Sequence, residues 1–107
     1  FTHITDVVNF LIKTFEKEKK NKIKNKFEIF NISRGKSEKL IKYISELESQ
    51  IGKKFKKKFI KKQKGDVLRT FGDNSKIKKL TKYYPKISVK EGLSEFLEWY
   101  KDYYNFE

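Results

Sequence analysis

Apolar residues recur at helical spacing in four stretches of the chain, which predicts four helices. The first stretch runs from Thr5 to Glu18, and Thr5 or Asp6 is placed to accept hydrogen bonds from the first free amides of a helix. Its apolar side is formed by Val7, Val8, Leu11, Ile12 and Phe15. The lysine-rich run that follows, 17–26, has too few apolar residues to pack, and it predicts a frayed helix end and a solvated loop.

The second helix is expected after Gly35, with Ser37 as a candidate cap. Gly52 marks its end, because a glycine accepts the left-handed conformation that often closes a helix. The apolar stripe of this helix consists of Leu40, Ile41, Ile44, Leu47 and Ile51.

A short third helix is expected after Asp73 or Asn74, either of which can cap it, and it should stop before Pro85. Ser88 and Glu91 then have the spacing of a capping box in front of a fourth helix. The apolar face of this last helix is formed by Val89, Leu93, Phe96, Leu97 and Tyr100. The spacing of Trp99 and Tyr100 with Leu93 and Phe96 favours packing in a core over stacking on a nucleic-acid base.

Two short segments rich in aromatic and β-branched residues predict strands. The segment Phe27 to Ile32 is almost entirely apolar, which suits a strand covered on both faces. The segment Phe55 to Ile60 carries lysines and suits an exposed or edge strand. The predicted fold class is therefore α/β, with about four helices and two or three short strands in the order αβαβαα.

Length and composition exclude several classes of protein. A chain of 107 residues is one domain or part of one, and it contains no apolar run of the roughly 18 residues that a membrane span needs. No signal peptide is recognisable, so the cytosol is the expected compartment and no membrane partner is expected. The absence of cysteine removes disulfides and thiolate chemistry, and His3 alone cannot build a metal site.

The formal charge of +13 has two interpretations. A basic surface that binds nucleic acid or another polyanion is one of them. However, only Arg34 and Arg69 among the 27 basic residues are arginine, the residue best suited to bidentate phosphate and base contacts. The chain also lacks alanine, and lysine, isoleucine, asparagine and phenylalanine have A/T-rich codons, so a biased genome explains the lysine excess without a ligand and is the favoured interpretation.

Four motifs in one order resemble a known family. The stretches FTHITDVV, FEIFNISRGKS, GDVLRTFGDNSKIKKL and YYPKISVKEGLSEFLEWYKDYY are similar to the C-terminal part of NAD-dependent sugar-nucleotide epimerases and dehydratases, which are extended short-chain dehydrogenase/reductases. The likeness is greatest to the UDP-glucuronate 4-epimerase branch, with its pattern F-T-Y-I-D-D, V-F-N-I-G, Q-P-G-D-V-x-x-T-x-A-D and E-G-L-x-x-F-x-x-W-Y. It extends from Phe1 to about Tyr104.

This resemblance implies that residues 1–107 are a substrate-binding segment and that an N-terminal Rossmann half is absent. In the family that half binds NAD on a glycine-rich turn and supplies a Tyr-x-x-x-Lys catalytic pair. Neither motif occurs in this sequence. No catalytic and no cofactor-binding residue is therefore expected here, and none is expected to bind a metal. NAD would be bound by the missing half.

The resemblance assigns substrate binding to the loop that contains Gln63, Gly65, Asp66 and Arg69. Gln63 would lie near the diphosphate of a UDP-sugar, and Asp66 near the ribose hydroxyls. A carboxylate accepts both hydrogen bonds of a cis-diol, an amide donates to phosphate, and a glycine permits close approach. Arg69 would contact phosphate or remain a solvated cation. The alternative interpretation of this loop is a β-turn that only ends a strand, and the family's usual proline is replaced by Lys64.

Several further positions match the family motifs. His3 is expected to pack rather than to act in catalysis, Asp6 to cap the first helix and Asn31 to anchor a turn. Thr70 and Asp73 are expected at the entry to the third helix. The sequence departs from the motifs at two positions: serine replaces the usual glycine at Ser33, and glycine replaces the usual alanine at Gly72, which suggests a loose turn.

Two classes of function follow. The first is a nucleotide-sugar-binding segment of an NAD-dependent UDP-sugar 4-epimerase that is not catalytic alone and pairs with a Rossmann half or companion chain. The complete enzyme is compatible with a homodimer. The second is a small nucleic-acid-binding module built on the run from Lys53 to Lys64, and the scarcity of arginine makes this the weaker alternative.

Overall fold

The computed structural model describes residues 1–20, 27–67 and 69–105, and these contain four helices. They are α1 (Ile4–Lys19), α2 (Leu40–Ile51), α3 (Ser75–Thr81) and α4 (Val89–Tyr104). Each lies where the apolar periodicity predicts a helix. The loop expected up to residue 26 falls largely outside the described ranges.

The α/β prediction is wrong, because the described residues contain no strand and the fold there is all-helical. A strand forms only when its backbone hydrogen-bonds to the backbone of a neighbouring strand. In both predicted strands, a backbone group hydrogen-bonds to a side chain instead. The carbonyl of Ile29 accepts a hydrogen bond from Lys76 Nζ at 3.1 Å. The amide of Phe55 donates to Glu48 Oε1 at 2.7 Å. Phe27 and Ile29 are exposed, so the first segment is also not covered on both faces.

The chain divides into two compact units, and the first comprises residues 1–36 and 71–88. Within it α1 packs against α3 through Phe10 and Ile77, which are both almost fully buried. The ring of Tyr83 meets the ring of Phe10 edge-on, with 5.0 Å between centroids. This small apolar centre holds the two helices together.

The buried side of α1 differs from the predicted one. Asp6 and Phe10 are buried, whereas Val8, Leu11, Ile12 and Phe15, which form the larger part of the predicted apolar stripe, are exposed. The first helix also begins at a different cap. His3 Nδ1 accepts a hydrogen bond from the amide of Thr5 at 3.4 Å, so neither Thr5 nor Asp6 is the cap.

The second unit comprises residues 37–70 and 89–107, described up to 105. Here α2 packs against α4, Leu93 is buried, and Gln50 Nε2 donates to the carbonyl of Lys90 at 3.0 Å. Gly52 closes α2 in the left-handed conformation, as predicted. Trp99 and Tyr100 contact other rings of α4 but remain exposed, so the expectation that they are core residues is wrong.

Candidate functional site

The predicted substrate loop forms a tight, accessible turn in the second unit. The amide of Asp66 donates to the carbonyl of Gln63 at 3.3 Å, and the amide of Gln63 donates to Asp66 Oδ2 at 3.3 Å. Gly65 has a φ of +94°, a conformation that side-chain-bearing residues rarely adopt. Gln63, Gly65 and Asp66 are therefore brought together and exposed, in the β-turn that the sequence offers as one interpretation.

The turn presents groups that suit a nucleotide. Asp66 uses Oδ2 in the turn, and its Oδ1 accepts no hydrogen bond from the residues that the structure describes. No heavy atom lies within 4 Å of a Cβ built on Gly65, so a ligand can approach the backbone there. Arg69 lies beyond the turn and is also exposed.

Glu48 anchors the chain that leads into this turn. The carboxylate is buried at the end of α2, where it accepts the Phe55 amide and pairs with Lys57, while Lys54 Nζ lies 3.6 Å from Oε2. The hydrogen bond from Lys57, followed by that from Phe55, holds the pKa of Glu48 below its ordinary value against the opposing effect of burial. These bonds hold the beginning of the segment after α2, at Phe55 and Lys57, against the helix.

A second polar cluster lies in the first unit around Asp6. Its carboxylate is 1% exposed and accepts three hydrogen bonds from the segment after α3. Tyr83 Oη donates to Oδ1 at 2.6 Å, the Lys86 amide to Oδ1 at 2.9 Å, and the Ile87 amide to Oδ2 at 3.1 Å. Asn9 Nδ2 donates in turn to Tyr83 Oη at 3.3 Å. The cluster clamps residues 83–87 onto α1.

The electrostatics of this cluster follow from its geometry. Burial raises the pKa of Asp6, but the hydrogen bonds from Tyr83 and from the Lys86 and Ile87 amides outweigh it and lower the pKa overall. The pKa of Tyr83 is raised, first by burial and then by its bond to the Asp6 carboxylate. Asp6 is therefore held ionised and Tyr83 neutral, which describes a structural clamp and not a proton-transfer pair.

The residues that lead into α3 pack closely against Ser33. Asp73 Oδ1 accepts the amide of Ser75 at 2.9 Å, which confirms the helix-entry role predicted for Asp73. Ser33 Oγ donates to the carbonyl of Gly72 at 2.6 Å, and a Cβ on Gly72 would lie 2.8 Å from Ser33 Cβ. The two departures from the family motifs thus touch each other. The turn at Gly72 is tight, and the expectation of a loose turn is wrong.

Asn74 and Gly35 extend the contact between the segment around Ser33 and the start of α3. Asn74 is buried, and its Nδ2 donates to the carbonyl of Ser33 at 2.7 Å. A Cβ on Gly35, which has a φ of +71°, would lie 2.7 Å from Asn74 Oδ1. Gly35 is therefore required both by its backbone conformation and by the space that Asn74 occupies.

Sequence reasoning missed Glu48 and Tyr83, and it offered Asn74 only as a helix cap. Tyr83 and Asn74 bond to residues 77 and 41 positions away, whereas the partners of Glu48, Phe55 and Lys57, are 7 and 9 positions away. A signal existed only for Glu48. It is the acidic residue at the end of α2 nearest to the lysine run, so an ion pair with that run was a natural expectation. Nothing local to Asp6 indicates that its partners lie about 80 residues away.

The described residues do not fit a dinucleotide. Gly35 packs on Asn74, Gly52 ends α2, Gly65 lies in the substrate-loop turn and Gly72 packs on Ser33. These glycines serve separate turns and do not form one phosphate cradle at a helix N-terminus. Within the described ranges, no three His, Asp or Glu side chains come together as metal ligands.

Comparison with known proteins relates the chain to epimerases. It is 43% identical over 77 residues to a UDP-glucuronate 4-epimerase of Thermodesulfobacterium geofontis, covering 71% of this chain and 24% of that protein. It is 32% identical over 78 residues to a probable UDP-glucuronate 4-epimerase of Rhizobium meliloti, covering 73% and 23%. An uncharacterized protein of Methanocaldococcus jannaschii is 42% identical over 100 residues, covering 94% and 29%. No protein-family model matches the chain.

These relatives show what part of the chain is similar to. The chain is epimerase-related in sequence, and its partial homologues include proteins named UDP-glucuronate 4-epimerase. The chain spans between 23 and 29% of the length of the relatives described above.

Proposed function

We propose that this chain is the nucleotide-sugar-binding portion of a UDP-sugar 4-epimerase, of the kind that acts on UDP-glucuronate. The observation that carries the proposal is the similarity to two proteins of that name over more than 70% of the chain. A companion portion or chain would supply the Rossmann half and NAD, which provides hydride acceptance and return at the sugar. The residues described here would bind and orient the nucleotide.

The substrate loop provides the chemistry for nucleotide binding. Asp66 would accept hydrogen bonds from ribose hydroxyls through the oxygen that the turn leaves available. Gln63 and Arg69 would donate to the diphosphate, and the open space at Gly65 would admit the nucleotide to the backbone. The left-handed turn holds Gln63 and Asp66 in place before the ligand arrives, which lowers the entropy cost of binding.

The exposed stripe of α1 supports the requirement for a companion. Its side chains Val8, Leu11, Ile12 and Phe15 are between 43 and 64% exposed. Apolar side chains at helical spacing normally face a core, so this stripe fits the packing surface of another part of a larger enzyme. The length of the relatives leaves about three quarters of an epimerase to provide that surface.

Nucleotide binding is tested by titrating the purified chain with UDP while following its backbone amides by NMR. We expect shifts concentrated at Gln63, Gly65 and Asp66. Asp66→Asn should weaken UDP binding by roughly tenfold, which corresponds to the loss of about 1.4 kcal/mol of charge-assisted hydrogen bonding. Asp102→Asn changes an exposed aspartate of the same unit to asparagine and should have no effect.

Inorganic pyrophosphate separates nucleotide recognition from general attraction to a basic chain. If pyrophosphate shifts the same amides with the same affinity as UDP, or if Asp66→Asn and Asp102→Asn behave alike, the loop does not recognise the nucleoside and the proposal fails. A second experiment adds an epimerase Rossmann half to the purified chain. Epimerisation of UDP-glucuronate should then require both polypeptides and NAD.

A further inference from the structure

The residues between α2 and the substrate loop form the most basic stretch of the molecule. This polybasic segment, Lys53 to Lys64, contains eight lysines and no acidic residue. Two adjacent apolar side chains interrupt it near its middle, and both are exposed: Phe59 at 83% and Ile60 at 71%. The segment therefore combines high positive charge with accessible apolar side chains.

Internal pairing neutralises only the beginning of the segment. Glu48 pairs with Lys57 and lies near Lys54. In the part of the chain that the structure describes, no carboxylate pairs with Lys58, Lys61 or Lys62, which surround the two apolar residues. Glu48 therefore holds the beginning of the segment, and the lysines around Phe59 and Ile60 form a positively charged surface that an external anion can approach.

We propose that the polybasic segment docks on an anionic membrane surface. Phe59 and Ile60 would enter the interface between headgroups and acyl chains, while Lys58, Lys61 and Lys62 would lie among the headgroup phosphates. Charge complementarity supports this occupant, because clusters of four to eight basic residues bind anionic lipids with about 1 kcal/mol per residue. Apolar side chains beside the lysines add burial energy that charge alone does not provide.

The composition of the segment favours lipid over nucleic acid. It contains no arginine, tryptophan or tyrosine, although arginine is best suited to bidentate phosphate and base contacts. A phenylalanine can stack on a base, but the neighbouring Ile60 has no π face to stack. Both side chains gain from the apolar edge of a bilayer.

The contact would be peripheral. No helix within the described ranges has both the length and the apolar character to cross a bilayer. This proposal therefore departs from the expectation, drawn from the sequence, that the chain has no membrane partner. It places the turn at Gln63, which follows Lys61 and Lys62 directly, next to the membrane surface.

Vesicle binding tests the proposal. The purified chain is sedimented with vesicles of phosphatidylcholine alone or with 30% phosphatidylserine, at 0.1 M and 0.5 M salt. We expect binding to the anionic vesicles only and weakening at high salt. Lys61→Gln with Lys62→Gln should weaken binding about 30-fold, at roughly 1 kcal/mol per lysine. Lys19→Gln with Lys20→Gln, two exposed lysines of the first unit, removes equal charge and should change binding less than twofold.

The apolar contribution needs its own pair of variants. Phe59→Ser should weaken binding about tenfold, the minimum expected for a phenylalanine withdrawn from the interface. Phe27→Ser removes a phenylalanine of similar exposure elsewhere and should have no effect. Circular dichroism of all variants verifies unchanged helix content. Insertion is measured directly by Phe59→Trp in a Trp99→Phe background, whose fluorescence brominated lipids should quench.

Three results would overturn the proposal. Equal weakening by the two lysine pairs would show attraction by net charge without a defined segment. Quenching no greater than that of Phe27→Trp in the same background would show that Phe59 does not enter the bilayer. Tighter binding to a single-stranded oligonucleotide than to the anionic vesicles would assign the segment to nucleic acid.

Discussion

The buried carboxylate of Asp6 provides the sharpest test of how this chain is held together. The change Asp6→Asn preserves shape but replaces one oxygen by an amide NH₂. Three donors point at the present carboxylate: Tyr83 Oη, the Lys86 amide and the Ile87 amide. The NH₂ of asparagine must face at least one of them, so one hydrogen bond becomes a donor–donor contact and the others lose their charge assistance.

The expected cost is about 2 to 4 kcal/mol. A hydrogen bond to a charged group contributes roughly 1.5 to 3 kcal/mol, and a buried donor left without an acceptor costs roughly 1 to 3 kcal/mol. Asp6 is only 1% exposed, so water does not replace the lost acceptor. Domains of this size have about 5 to 15 kcal/mol of stability in total, so this single change removes a large share.

Hydrogen exchange measures the loss of stability at single amides, and denaturant unfolding measures it for the fold as a whole. We expect the amides of Lys86 and Ile87 to lose protection and the denaturation midpoint to fall. Asp102→Asn, at an exposed aspartate, should alter the free energy of unfolding by less than about 0.5 kcal/mol. If exchange at Lys86 and Ile87 is the same in Asp6→Asn as in Asp102→Asn, the carboxylate does not hold this segment.

Two further predictions concern the first unit. Gly72→Ala should destabilise it by about 1 to 3 kcal/mol, because the new Cβ would lie 2.8 Å from Ser33 Cβ. Adding Ser33→Gly should recover much of that loss, and additive costs in a double-mutant cycle of denaturant midpoints would contradict the contact. Stability should also depend on pH at both extremes. The lowered pKa of Asp6 adds stability above its ordinary value of 3.8 that is lost as the pH falls below it, and the raised pKa of Tyr83 adds stability below 10.0 that is lost at higher pH. Tyr83→Phe should abolish the alkaline loss in a pH series of melting temperatures, and persistence of that loss would exclude Tyr83 as its source.

The helices were predictable because helix formation depends on residues three or four apart, and that spacing is visible in the sequence. The ends marked by Gly52 and Asp73 were predictable for the same reason, since a helix cap is a local interaction. The strands were not predictable. Aromatic and β-branched residues describe side chains that suit a sheet, but a strand forms only if another backbone pairs with it.

In the candidate site, too, contacts between residues close in sequence were predictable and contacts between distant residues were not. The turn from Gln63 to Asp66 follows from a glycine and an aspartate adjacent in sequence, and its geometry agrees with the predicted turn. The clamp at Asp6 joins residues about 80 positions apart, and the contact of Ser33 with Gly72 joins residues 39 apart. Each of the two motif departures was visible in the sequence, but only the structure shows that they are in contact.

The clamp also accounts for the orientation of α1. At about 100° per residue, Asp6 and Phe10 lie close together around the helix, whereas Val8, Leu11, Ile12 and Phe15 lie on the opposite side. One neighbouring element cannot cover both sides. Turning the apolar stripe toward α3 would move Asp6 away from α3 and leave its three donors, Tyr83 Oη and the amides of Lys86 and Ile87, without their acceptor. The side of α1 that carries most of its apolar side chains is thus kept available, as expected if it packs against the companion half proposed above.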